Sequence, residues 1–263
     1  MRQTKIFEIF SKCVEAILQG ALISRVSRTD KEFHFQHWFQ ARLDAIGIHY
    51  DKPGRNSYPD FSLVETTEGY EVKGLAWPGR ESTYDCNSQV PTGFHNGRDI
   101  YYVFGRYPSA EEAGNEYPVI DLVFCHGDFL NADHEYIHKN RNVKGFGSYG
   151  DIMIRDRKMY VAPTPFAIAQ GLTGTRTLIV PSTMIPPINF KKVGDLIRFE
   201  SASIVIGYEF DLTQNTIAPK TIPNPNAGEK HTFLAYRINS DSDKEVAIAK
   251  SQINEIFLEE EEE

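Results

Sequence analysis

Between Thr4 and Leu22 the apolar residues Ile6, Ile9, Phe10, Cys13, Val14, Ile17 and Leu18 recur at intervals of three and four, and Gly20 follows. That period places them on one face of a helix ending near the glycine. A second helical pattern runs through Phe33, Trp38, Phe39, Ala41, Leu43 and Ile46, with Ser27, Thr29 and Asp30 offering N-cap oxygens and Gly47 as its stop. The loop Asp51 to Ser57, rich in turn residues, separates these helices from Phe61 to Glu65 and Tyr70 to Leu75, which read as two strands of a hairpin turning at Glu68 and Gly69. Ile100 to Phe104 and Val119 to Cys125 are continuous apolar runs, as expected of strands buried in one sheet.

The second half is β-rich. Ile152 to Ile154 and Met159 to Ala162 flank a turn at Arg155 to Lys158, and Leu178 to Val180, Ile197 to Phe199, Ser203 to Tyr208 and Phe233 to Ile238 are further strands. The polar stretch Gly127 to Asp151 reads as a long loop, Pro219, Pro223 and Pro225 mark an irregular connection, and Lys244 to Leu258 reads as a closing helix. The pattern predicts an α/β (α+β) fold with a β-rich C-terminal elaboration. The expected division is a core over residues 1–150, an elaboration packed on it over 151–258, and an acidic tail over 259–263.

With 263 residues, 41% apolar and 12% aromatic, the chain can bury a full core. No run of eighteen apolar residues occurs, so a membrane span is not expected, and the first residues carry no export signal. Cytoplasmic residence is the expectation. Cys13, Cys86 and Cys125 are odd in number and form no CxxC pair, which points to reduced thiols.

The net charge of -8 opposes phosphate binding, but five of the negative charges are the terminal run Glu259 to Glu263. Cations group at Arg25 with Arg28, at Lys139, Arg141 and Lys144, and at Arg155, Arg157 and Lys158. Such groups either track a phosphate backbone or are ordinary solvated loop charges.

The candidate chemistry lies in Tyr58-Pro59-Asp60-Phe61 and Glu71-Val72-Lys73. On a strand Glu71 and Lys73 project to one face and Val72 to the opposite, apolar one. If the Phe61 strand pairs back as a hairpin, Asp60 approaches Glu71, and two carboxylates meet one ammonium. Hard carboxylate oxygens suit Mg²⁺, which polarises a phosphate and acidifies a bound water.

The order Pro, Asp, then Glu-x-Lys resembles the PD-(D/E)XK nuclease superfamily, a likeness confined to residues 30 to 107. The resemblance implies a restriction-endonuclease-like core, a central mixed sheet flanked by helices, with Asp60 and Glu71 as ligands of Mg²⁺, for which Mn²⁺ can substitute, and Lys73 near the attacking water. It further implies an acid from the preceding helix, with Glu32 the best placed and Glu15 second, and a contribution from Gln89. A type II restriction endonuclease is the role expected within the superfamily. Its partners are then double-stranded DNA, a second copy of the chain in a homodimer, and a cognate DNA methyltransferase that protects the genome. Asn87, Arg98, Lys139, Arg141, Lys144, Arg155, Arg157 and Lys158 are the candidate DNA contacts, and the same Asn and Gly residues equally make turns. Two rival functions stay open: a repair or junction-resolving nuclease with the same metal site, and a non-enzymatic β-rich binding module with surface ion pairs.

Other signals carry less. His134 and His138 lack a metal-site partner motif, and His34 and His37 read as polar edges of the second helix. Gly145 to Gly150 lacks GK[ST], and His95-Asn96 and His138-Asn140 lack the setting of an HNH nuclease.

Overall fold

A computed structural model describes residues 4–25, 31–51, 57–79, 81–86, 90–108, 115–132, 147–155, 159–168 and 174–239. Helix α1 (Ile6–Leu18), strand β1 (Leu22–Ser24) and helix α2 (Lys31–Ala45) precede strands β2 (Tyr50–Asp51), β3 (Phe61–Leu63), β4 (Glu68–Trp77), β5 (Thr83–Asp85) and β6 (Phe94–His95). Next come β7 (Arg98–Pro108), β8 (Glu116–Pro118), β9 (Asp121–His126), β10 (Met153–Arg155), β11 (Met159–Pro163) and β12 (Arg176–Pro181). The chain continues through β13 (Phe190–Phe199), β14 (Ser203–Asp211), β15 (Thr216–Pro223) and β16 (Lys230–Ile238).

Nine strands form the central sheet, in the order β13-β16-β12-β9-β7-β4-β3-β2 with β6 beside β7. It is mixed: β4 runs parallel to β7 and β9 parallel to β12, while the other ladders are antiparallel. The fold is therefore mixed α/β, with two helices among the described residues.

Alternation along β4 sorts its side chains between two cores. Tyr70 and Val72 join the apolar faces of α1 and α2, including Ile6, Phe10, Phe35 and Phe39. Leu75 belongs to the opposite core, with Tyr84, Cys86, Tyr102, Phe104 and Phe129. The helices pack tightly because two sheet positions lack a side chain. A Cβ at Gly105 would lie 2.2 Å from the Phe35 ring, and one at Gly74 would lie 3.1 Å from Phe35 Cβ. Phe35 thus seats directly on β4 and β7.

The expected boundary at residue 150 falls within one continuous sheet, since β12, β13 and β16 extend the strands of the first half. A buried carboxylate fastens the two: Asp121 on β9, paired with Arg106 on β7, accepts from Thr175 N at 2.9 Å through its Oδ1. A small sheet, β10-β11-β5, contributes Tyr84 and Ala162 to the second core.

Three sequence expectations are corrected. The hairpin turns over residues 64–67, not at Glu68 and Gly69, which lie inside β4. Glu68 is drawn in because its carboxylate accepts from Lys5 N at 3.0 Å and from Tyr70 Oη at 3.1 Å, capping the start of α1. Gly69 opposes Ser62, where a Cβ would meet Pro59 Cγ at 2.5 Å. Pro219 and Pro223 lie in strand β15, which pairs with β14 alone among the described residues, so its other edge tolerates residues without an N–H. His34 is buried, not at a polar edge, with Nδ1 3.2 Å from Tyr117 Oη. The expected caps Ser27, Thr29 and Asp30, the closing helix and the acidic tail lie outside the described residues. No described helix is long and apolar enough to cross a membrane.

Candidate active site

Hairpin pairing of Phe61 with Tyr70 brings Asp60, in the bend just before β3, beside Glu71 on β4. Two backbone bonds lock them together: Asp60 Oδ2 accepts from Val72 N at 2.8 Å, and Asp60 N donates to Glu71 Oε2 at 3.2 Å. From the same face of β4, Lys73 Nζ lies 2.8 Å from Glu71 Oε1. Val72 points the other way into the helix-side core, as its place between them requires.

The Glu71 and Lys73 side chains are 13% and 14% exposed, so the pair is shielded yet open to solvent. Aromatic groups build the shield. Tyr102 opposes Glu71 in the β4–β7 register, and its hydroxyl lies 2.9 Å from that of Tyr58, the residue two before Asp60. Tyr84 packs on Tyr102 and Phe104 at 6.1 and 5.1 Å between centroids. Burial pushes the Tyr58 phenol up, and the Glu71 carboxylate adds to the effect, so Tyr58 is a neutral hydrogen-bonding group at ordinary pH. Burial likewise pushes the Cys86 thiol up to about 12 against the opposing pull of Lys73.

Two carboxylates and one ammonium leave the cluster one negative charge in excess, in surroundings that strengthen electrostatic interactions. Oxygen donors from β4 and from the bend before β3, partly open to water, fit a hard divalent cation such as Mg²⁺.

The structure thus brings Asp60, Glu71 and Lys73 together. Glu15 is elsewhere: it lies on the exposed side of α1, across the sheet from Glu71, where it pairs with Lys12 at 3.0 Å. Glu32 falls in the first turn of α2 and Arg155 in β10, with neither side chain described. Arg98 ties the β3–β4 turn, its Nη1 donating to the carbonyls of Leu63 at 2.7 Å and Thr66 at 3.1 Å. Asn87, Gln89, Lys139, Arg141, Lys144, Arg157, Lys158, His134 and His138 lie outside the described residues. Cys86, immediately before Asn87, is within electrostatic reach of both Lys73 and Glu71.

The sequence reading assigns no site role to Tyr58, Tyr84, Cys86 or Tyr102, and only the period-two alternation of Tyr84 and Cys86, and of Tyr102 and Phe104, signals that each pair shares a face. His95, set aside above, packs its ring against Tyr58 at 5.0 Å. No protein family, curated protein or solved structure is matched by this chain.

Proposed function

We propose that the chain is a metal-dependent DNA endonuclease of the PD-(D/E)XK kind, a type II restriction endonuclease that hydrolyses phosphodiester bonds in double-stranded DNA. The observation carrying this reading is the convergence of Asp60, Glu71 and Lys73, with Asp60 and Glu71 joined across two strands and Lys73 2.8 Å from Glu71. Two helices packed on one face of a mixed sheet are consistent with a restriction-endonuclease-like core.

In this reading Asp60 and Glu71 hold Mg²⁺, or Mn²⁺ in its place. A divalent cation held by these two carboxylates would supply Lewis-acid withdrawal of charge from the scissile phosphate and make water more acidic. Lys73 leaves Glu71 to orient the attacking water or to meet the charge that develops on phosphorus oxygens. The backbone N–H groups of Asp60 and Val72 hold the two carboxylates in place, so little reorganisation accompanies the reaction. The aromatic wall of Tyr58, Tyr84 and Tyr102 keeps bulk water from one side. A homodimer reading a palindromic site, with a methyltransferase protecting the host genome, completes the proposal.

A substrate panel tests it. Purified protein with Mg²⁺ is expected to give discrete fragments from plasmid DNA, and methylation of the site should block cutting. Preference for branched or nicked DNA would favour a repair nuclease. Absence of cutting on every substrate would favour a binding module.

A further inference from the structure

A second group of metal-binding side chains lies at the far end of the β13–β16 ladder. The register pairs Arg198 with His231 and Phe199 with Lys230, so the next position sets Glu200 directly opposite Glu229. Their backbones are joined there by Glu200 N donating to Glu229 O at 3.0 Å. Like charges facing each other across an antiparallel ladder repel. Here one of them, Glu200, has a side chain with no exposure at all, which raises the cost further.

His231, two residues after Glu229, projects to the same side and completes the group, with Nε2 2.7 Å from Glu200 Oε1. One ligand atom from each of Glu200, Glu229 and His231 falls within 4.8 Å of the others. Tetrahedral ligands at bond lengths of about 2.1 Å stand about 3.4 Å apart, so small side-chain adjustments would seat an ion among them. Two neighbours orient the ligands as supporting groups do in metal sites: Asn224 Nδ2 donates to Glu200 Oε2 at 3.1 Å, and the Tyr149 ring meets His231 edge-on at 5.9 Å.

We infer that Glu200, Glu229 and His231 form a binding site for a divalent transition-metal ion, of the Zn²⁺ or Mn²⁺ class, distinct from the Asp60–Glu71 site. The imidazole donor favours such ions over Mg²⁺. The position gives the site a structural purpose. Glu200 precedes the β14–β15 ribbon and Asn224 follows it, and Asn224 N donates to Ala202 O at 3.0 Å across its base. An ion bound there pins both feet of the ribbon to the central sheet.

The test is calorimetric titration with Zn²⁺ of a D60N/E71Q double variant, which lacks the proposed Mg²⁺ ligands, and of the same protein carrying E229Q or H231Q. The parent variant is expected to bind one Zn²⁺ per chain, to gain thermal stability from it, and to show slower proteolysis within residues 203–223. Both further substitutions should weaken binding at least about tenfold. E229Q alters an exposed side chain and keeps its shape, so it carries the test if H231Q folds poorly. Absence of Zn²⁺ binding by the parent, or unchanged affinity in folded E229Q, overturns the inference, and neither result bears on the nuclease reading.

Discussion

Glu68 and Glu71, three residues apart on one strand, lead opposite lives. The Glu68 carboxylate faces the helices, caps α1 through Lys5 N at 3.0 Å and is raised in pKa by burial. Glu71 faces the other core, where it meets Asp60 N at 3.2 Å and Lys73 Nζ at 2.8 Å. One strand thus carries a structural acid and a candidate catalytic acid, and the pleat alone separates them.

That separation is testable by paired substitutions. Glu71→Gln should leave the circular dichroism spectrum and melting temperature nearly unchanged and reduce Mg²⁺-dependent cleavage by about 10²-fold or more. Glu68→Gln should keep cleavage and lower stability by about 1–3 kcal/mol through its disturbed hydrogen bonds. Urea unfolding beside single-turnover cleavage measures both, and the reverse assignment would show the roles to be exchanged.

Lys73→Met removes the cation that faces Glu71. Cleavage should fall by about 10²-fold or more, and Mg²⁺ should bind no more weakly, since a competing ammonium is gone. Calorimetric Mg²⁺ titration of the variant is the check, and a marked loss of Mg²⁺ affinity would instead make Lys73 a group that positions the metal ligands.

Gly105→Ala adds a methyl 2.2 Å from the Phe35 ring. Either α2 retreats from the sheet or the ring leaves its seat, at a cost of about 1–3 kcal/mol. Unfolding midpoints should fall accordingly, whereas an unchanged midpoint would mean that Phe35 does not pack on that glycine.

Cys13, Cys86 and Cys125 are buried, and burial raises all three thiols, Cys86 to about 12. The native protein should therefore react slowly with thiol reagents at pH 8, and the three thiols should react rapidly after denaturation. The sign for stability follows from proton counting. An unfolded cysteine loses its proton near pH 9 while native Cys86 keeps it to about 12, so the Cys86 contribution is complete below 9 and declines across that interval. Denaturation measured from pH 8 to 11 should show the decline, reduced in a Cys86→Ala variant.

Much of this organisation is legible in the amino-acid sequence. The spacing of Ile6 through Leu18 delimits α1, the run Ile100 to Phe104 identifies the strand beside β4, and the Asp60, Glu71, Lys73 spacing names the residues that meet. Misreadings arose where tertiary contacts outweighed local signals. Glu68-Gly69 has the composition of a turn, but Glu68 caps a helix 63 residues earlier in sequence and Gly69 accommodates Pro59. Pro219 and Pro223 announce a break, yet a ribbon whose β15 pairs with β14 alone among the described residues accepts them. The charge of Arg98 is visible in sequence, while the carbonyls of Leu63 and Thr66 that engage it are not. The group formed by Glu200, Glu229 and His231 left no trace in sequence, since only the β13–β16 register joins residues on either side of the ribbon.

The central claim is that Asp60 and Glu71 together hold the cation that activates hydrolysis. Its most direct measurement is the rate of plasmid cleavage as Mg²⁺ is titrated into wild-type protein, D60N and E71Q, each confirmed folded. Saturable Mg²⁺-dependent cutting by the wild type, abolished by EDTA and lost in both variants, is the predicted result. Cutting by folded D60N or E71Q at the wild-type rate, or no cutting by the wild type with any DNA and either Mg²⁺ or Mn²⁺, would contradict it.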